Sequence, residues 1–314
     1  MSKELIPFHK PMFLQQDEQK EIINQIGYVM SSGQLTNNKN VRLLEERISD
    51  IHNVDYAIST SSGSQALVIA IQALMKTLNK KPHYAYTQAF TWYSTPYAIK
   101  TNNIIPSYCD IETDTWNMKQ DTDYPFAVPV HTFGNISEIY ADYKIYDGAH
   151  CLGAEIDDFG DATILSLAPT KLVTSIEGGI ILTNYEKLAK IIIEIRDKVS
   201  RMSEIHAIFG NAYLDHLDET LKWKKEVYNF YKENLHGVFQ KTDIDSNHNT
   251  IGMLTSLKIP GYIETRKYYK PIQHSEVLLN TEEIYKNIVC LPSWFNCPYK
   301  QIVEDINNFN KDSQ

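Results

Sequence analysis

A lysine, Lys171, stands in the stretch Ser166-Leu-Ala-Pro-Thr-Lys171-Leu-Val-Thr-Ser-Ile-Glu177-Gly178-Gly179, between two short apolar runs at 162–165 and 180–182. Both runs have the length and composition of buried strands, so the chain must fold with this lysine close to a sheet. Lysine is seldom buried without a partner. Its surroundings must therefore lower its pKa or bond it covalently. Desolvation would favour the neutral amine, the form that attacks a carbonyl. A solvated loop lysine is the alternative, and the spacing alone leaves both open.

The chain has 314 residues, enough for a large core and two domains. A net charge of -9 with no Lys/Arg-rich run argues against a nucleic-acid surface. The start, Met-Ser-Lys-Glu-Leu-Ile-Pro, lacks the apolar segment of a signal peptide, and no apolar run is long enough to span a membrane. Cys109, Cys151, Cys290 and Cys297 show no metal spacing. Reduced thiols in a cytoplasmic protein, with no bound metal, are the expectation.

Helical spacing predicts helices over 17–30, 40–51, 66–78, 185–199, 202–217, 221–235 and 299–309. Strand-like runs fall at 56–59, 84–87, 104–109, 126–130, 144–146, 162–165 and 179–183, with another at 251–259. Strands separated by helices predict an α/β domain with a mainly parallel sheet. From about Thr242 short strands dominate, which suggests a smaller α+β domain. The expected division is a large domain over 1–215 and a small carboxy-terminal domain over 216–314.

Three loops follow strands, where open α/β sheets place their ligands. Ser61-Ser62-Gly63-Ser64-Gln65 turns from a strand into a helix, offering free N–H groups and hydroxyls to an anion. A serine N-cap without a ligand is the other reading. In Tyr146-Asp147-Gly148-Ala149-His150 an acid ends an apolar strand beside two small residues. A carboxylate there can hold a proton on a heterocyclic nitrogen, with His150 donating to a ring substituent. A turn-capping Asp, or half of a metal site, would look the same. In Ala89-Phe-Thr-Trp92-Tyr-Ser-Thr95 the indole of Trp92 can lie flat on a planar ring, or fill the core. A phosphorylated pyridine aldehyde would use the anion cradle, the aromatic lid, the acid, the hydroxyl and the lysine together.

These stretches, with Gln34-Leu-Thr, Pro129-Val-His-Thr-Phe-Gly134, Asp147-Gly-Ala-His-Cys-Leu-Gly-Ala154 and Arg201-Met-Ser-Glu204, give a chain that resembles the DegT/DnrJ/EryC1/StrS family of sugar aminotransferases. The resemblance runs from about Gln34 to the last helix. It implies an aspartate-aminotransferase-like fold (fold type I) that binds pyridoxal 5′-phosphate as a homodimer, with active sites at the subunit interface. By the same resemblance Lys171 is the lysine that bonds the cofactor and shuttles the proton, and Asp147 is the partner of the ring nitrogen. His150 lies near the ring hydroxyl and Trp92 at the stacking position. Gly63, Ser64, Gln65 and Ser166 match the phosphate binders.

The activity implied is amino transfer from L-glutamate to a nucleotide-linked keto sugar, for surface polysaccharide or secondary metabolite synthesis. Thr174-Ser-Ile-Glu-Gly-Gly179, Arg201-Met-Ser-Glu204 and Thr265-Arg-Lys-Tyr-Tyr-Lys-Pro271 are most similar to enzymes that aminate C4 of 4-keto-6-deoxyhexoses, such as those forming viosamine and perosamine. A C3 aminotransferase, or a non-catalytic nucleotide-sugar binder, is the alternative. The related dehydratases carry histidine in place of the Schiff-base lysine, and Lys171 argues against them. His131, Arg201, Glu204 and Arg266 are candidate substrate residues, or structural polar groups. The chain departs from the family before Arg201: where members carry a loop whose Asn reaches the neighbouring subunit's phosphate, it has Val199-Ser200. Either Ser200 substitutes or that contact is missing.

Overall fold

The computed structural model describes residues 3–12, 14–242, 246–272 and 276–311. Elements follow in the order α1 (Gln16–Ser32), α2 (Lys39–His52), β1 (Tyr56–Thr60), α3 (Gly63–Thr77), β2 (Tyr84–Gln88), α4 (Ser94–Thr101), β3 (Ile105–Cys109), β4 (Ile145–Asp147), β5 (Ala162–Ser166) and β6 (Gly179–Thr183). Helices α5 (Glu186–Val199), α6 (Glu204–Leu214) and α7 (Leu217–Asn234) come next. The chain then forms β7 (Val238–Phe239), β8 (Ile251–Leu254), α8 (Leu279–Asn287), β9 (Ile288–Leu291) and α9 (Tyr299–Lys311).

The central sheet has the order β1-β6-β5-β4, and β2 pairs in parallel with β3. Residues 126–130, expected as a strand, form no regular strand but join the two sheets. Bridges Tyr86–Ala127, Ala127–Lys144 and Val130–Asp147 are all parallel, and Asp147 donates its N–H to Pro129 O at 2.8 Å. The result is one mixed layer in which β6 runs against both its neighbours. β1, β2, β4 and β5 therefore run one way, and their carboxyl ends share an edge.

Both faces of that layer are covered, so β5 and β6 are buried throughout and read as continuous apolar runs. Ile164 and Ile181 face α3 and α5, whereas Leu165, Ile180 and Leu182 face α2 and α6. α3 is apolar round most of its circumference, as befits a helix largely enclosed: Ala66, Leu67, Ile69, Ala70, Ile71 and Leu74 are buried, and Gln72 and Lys76 form its narrow exposed edge.

A second unit packs β7-β8-β9 against α7 and α9, with Ile6 of the amino-terminal segment resting on it. α7 spans both units: Leu217 and Leu221 belong to the sheet core, Val227, Tyr228 and Tyr231 to the second core. The helix expected over 202–217 is shorter, because Ser203 caps α6 by accepting the N–H of His206. α7 correspondingly starts earlier than 221. α4 was not predicted; its Pro96 falls in the first turn, where no helical hydrogen bond is lost. Among the described residues, no helix is long and apolar enough to cross a membrane.

Candidate active site

A cavity of about 400 Å³ opens at the shared edge of the sheet. β1 runs into Ser62, which N-caps α3 by accepting the N–H of Gln65 at 3.2 Å. Gly63 then brings the backbone against β5. A Cβ there would stand 3.0 Å from Ser166 Cβ, and one on Gly179 would stand 2.5 Å from the carbonyl of Ser62. The two glycines thus let strand and helix terminus close around the free N–H groups. Ser64 Oγ lies 2.7 Å from Ser94 Oγ, linking this turn to α4.

β4 delivers Asp147, which is 4% exposed. Thr95 Oγ1 donates to its Oδ2 at 2.6 Å and the Ala149 N–H to its Oδ1 at 3.1 Å. Burial still raises its pKa above the usual carboxylate range, with these bonds and Lys171 opposing the rise. No cationic side chain among the described residues is in salt-bridge contact with Asp147.

Past Ser166 the chain makes a compact excursion back to β6. Leu167 N–H bonds Gly178 O and Ser175 N–H bonds Leu167 O, each at 2.9 Å. These bonds pin the base of the loop that carries Lys171. Desolvation lowers the Lys171 amine to about 8, with the nearby Asp147 acting the other way. The neutral nucleophile is therefore far more abundant near neutral pH than for an ordinary lysine, although the ammonium still predominates.

His150 is held neutral by burial and by the charges of Lys171 and Lys224. Its Nδ1 is buried without a partner. Trp92, at 52% exposure, stands at the cavity mouth with its ring 5.1 Å from that of Tyr93. His131 also lines the cavity; its Nδ1 accepts the Ser137 N–H at 2.9 Å, so the neutral ring carries its proton on Nε2, which has no partner. Burial pushes its pKa down to about 3.

The structure thus gathers Gly63, Ser64, Trp92, His131, Asp147, His150, Ser166 and Lys171 around one cavity. Gln65, Arg201, Glu204 and Arg266 do not line it. Gln65 is the third residue of α3. Arg266 is exposed and pairs with Glu264 at 2.6 Å, and Arg201 is exposed. Glu204 has a different job, for its buried carboxylate accepts the N–H groups of Asn38, Asn40 and Val41 at the start of α2. Ser200 is engaged within its own chain: its hydroxyl lies 2.8 Å from Ser61 Oγ and accepts the Ser61 N–H, bracing the turn that leads to Gly63.

Thr95, His9, Lys224, Asn249 and Ser293 also belong to this neighbourhood and escaped the sequence reading. One signal was available. Lys224 sits on the buried stripe of α7, in register with Thr220, Val227 and Tyr231, where an apolar residue is the norm.

The model of the DegT/DnrJ/EryC1/StrS aminotransferase family matches residues 16–307. A dTDP-4-amino-4,6-dideoxy-D-glucose transaminase of Shigella dysenteriae is 26% identical, the match covering 90% of this chain and 94% of that protein. A GDP-perosamine synthase of Escherichia coli O157:H7 is 23% identical over 98% and 99% of the two chains. The solved structure of DesI with its TDP-sugar product superposes with a TM-score of 0.84 at 20% identity, covering 99% of this chain and 93% of that one, which shows the shared fold.

Pyridoxal 5′-phosphate, the cofactor of that family, fits the residues present. The α3 terminus and Ser166 form a close cradle, in which a Cβ at Gly63 would press on Ser166 at 3.0 Å. Asp147 is buried and lacks the counter-charge that a protonated ring nitrogen would bring. His150 has an orphaned Nδ1 to meet a ring substituent. Lys171 is an amine partly neutral near pH 8.

Proposed function

Because the chain belongs to the DegT/DnrJ/EryC1/StrS aminotransferase family, whose members depend on pyridoxal 5′-phosphate, we propose that it moves an amino group from L-glutamate to the keto carbon of a nucleotide-linked 4-keto-6-deoxyhexose. The observation that carries this reading is the convergence of Lys171, Asp147, His150 and the Ser62–Ser64 turn on one cavity. The acceptor class rests on the two relatives, one acting on a dTDP-linked amino sugar by its name and the other a GDP-perosamine synthase.

The cofactor, when bound, supplies an electron-withdrawing ring that stabilises charge on a carbon losing its proton. The chain's own groups do the rest. Ser62, Gly63 and Ser64 hold a phosphate at the positive end of α3, where dipole and N–H groups both favour a dianion. Asp147, steadied by Thr95, keeps a proton on the facing ring nitrogen. In each half-reaction Lys171 Nζ takes a proton from one carbon and returns it to another, removing it from the donor's α-carbon in the first and supplying it to the sugar carbon that gains nitrogen in the second. His150, neutral, would orient the ring through its free Nδ1, and Trp92 would cover it from the cavity mouth.

We assign the working form as a cytoplasmic homodimer. Trp92, Tyr93 and Tyr97 are 52%, 60% and 51% exposed and continue from the cavity mouth along α4, a patch that suits a second copy. Light scattering of the purified protein tests it; a monomer at micromolar concentration would refute the assignment.

The activity is tested with a panel of 3-keto and 4-keto dTDP-, GDP- and UDP-sugars, with L-glutamate and product detection by mass spectrometry. A 4-keto-6-deoxyhexose should be aminated, and Lys171→Ala should abolish both turnover and the cofactor's lysine-dependent visible absorbance. Amination of 3-keto sugars alone would replace the C4 assignment. Absorbance with no amino transfer to any acceptor would favour a binding role.

A further inference from the structure

Lys224 is a second buried lysine in the active-site cavity, and nothing above gives it a part. It is 8% exposed. Its ammonium donates to Asn249 O at 2.9 Å and to Ser293 Oγ at 2.8 Å. An ammonium has a third N–H, and no carboxylate among the described residues accepts it. A buried cation without a counter-charge is costly to desolvate, and an anion beside it would offset that cost.

His9 converges on the same place from the amino-terminal segment. Its ring bonds the carbonyl of Pro169, its Nε2 is buried with no partner, and the charge on Lys224 disfavours its protonation. Two groups that repel one another when charged, each with unused hydrogen-bonding capacity, suit an anion between them. Asn249 ties the cluster to Lys171: its Oδ1 accepts the Leu172 N–H at 3.1 Å, while its carbonyl holds Lys224.

We propose that Lys224, with His9 and Ser293, forms an anion subsite that takes the α-carboxylate of the amino donor. The assignment rests on the aminotransferase reading above. A carboxylate carries two oxygens, which match the spare N–H of Lys224 and either a protonated His9 Nε2 or the Ser293 hydroxyl hydrogen. The α-carboxylate is one bond from the carbon whose proton Lys171 must remove, so its binder has to lie near Lys171. The diphosphate of a nucleotide sugar is separated from a C4 carbonyl by the sugar ring and the glycosidic oxygen. The phosphate cradle, by contrast, is built from α3 and β5, elements that contribute nothing to this cluster.

Calorimetry on the cofactor-loaded protein tests the subsite without turnover, using glutarate as the carboxylate probe and dTDP as the diphosphate probe. Lys224→Met should weaken glutarate roughly 10- to 100-fold, the range for losing a charge-assisted contact, and leave dTDP affinity within about 2-fold by the same principle. Ser293→Ala and His9→Asn should each weaken glutarate by a few-fold, and they decide the matter if Lys224→Met does not fold. Glutarate affinity unchanged in these variants would overturn the subsite. Loss of dTDP binding with glutarate retained would show that the anion is a diphosphate and overturn the carboxylate assignment. Lys224-dependent glutarate binding in a protein that aminates no keto sugar would leave the subsite standing and refute only the acceptor reading.

Discussion

Thr95 Oγ1 donates to Asp147 Oδ2 at 2.6 Å, so a residue in the first turn of α4 steadies the acid at the end of β4. The bond is buried on both sides and opposes the rise in pKa that burial imposes on Asp147. Thr95→Val removes the donor and keeps the shape. A hydrogen bond to a charged group is worth about 1.5–3 kcal/mol, so cofactor affinity should fall roughly 10- to 100-fold. Because Asp147 must be ionised, its raised pKa should move the acidic limb of the kcat/KM profile to higher pH. Unchanged affinity with an unmoved limb would remove Thr95 from this role.

Lys171 carries a stability cost with a definite pH dependence. Its pKa is about 8 in the fold against 10.5 ordinarily, so the unfolded chain holds the proton more tightly. The penalty is full below about 8 and fades as pH approaches 10.5. Lys171→Met should therefore raise the melting temperature of the cofactor-free protein at pH 7, by an amount corresponding to about 1–3 kcal/mol. The gain should shrink at pH 10. A variant that is no more stable than wild type at pH 7 would contradict a desolvated amine.

Glu204 caps α2 from a distance, through the main-chain N–H groups of Asn38, Asn40 and Val41. Glu204→Ala leaves those donors buried without partners and should cost about 2–3 kcal/mol in urea unfolding. The KM for the sugar nucleotide in the folded fraction should stay near wild type. A selective rise in that KM with stability intact would restore Glu204 to the substrate site.

Gly179→Ala should be more damaging than Gly63→Ala. The Cβ on Gly179 meets backbone atoms of Ser62 and Gly63 at 2.5–2.6 Å, whereas that on Gly63 meets the Ser166 side chain at 3.0 Å. Overpacking of this kind costs about 1–3 kcal/mol or more. Both variants should weaken pyridoxal-phosphate binding, measured by fluorescence titration. Equal stability of the two would mean that strand and helix terminus are not held as tightly as the distances state.

Much of the fold was legible in short windows of the chain. β5 and β6 announce themselves as apolar runs, α3 as a helix of predominantly apolar residues, and the Ser62–Ser64 turn as a helix start. Periodicity and capping are local, and the environment of these segments merely repeats what their own residues prefer. α4 escapes the pattern because it is short and buries Ser94, Thr95 and Pro96, positions where apolar residues would mark a helix. Residues 126–130 were read as a strand because they are apolar, yet they pair only through scattered bridges.

By itself the sequence determined the chemistry available: a lysine after one strand, an acid after another, a glycine turn before a helix, and the family those motifs mark. The tertiary structure alone decided which charged groups share a cavity. Arg201, Glu204 and Arg266 stood in recognisable motifs and lie elsewhere, while His9 and Lys224 carried no motif and stand at the site, and Thr95, at the end of the Trp92 loop, reaches it through Asp147. Lys171 came first as an unexplained lysine between two strands; its shifted pKa follows from burial, and burial is a sum over neighbours drawn from distant parts of the chain. No local window contains that sum.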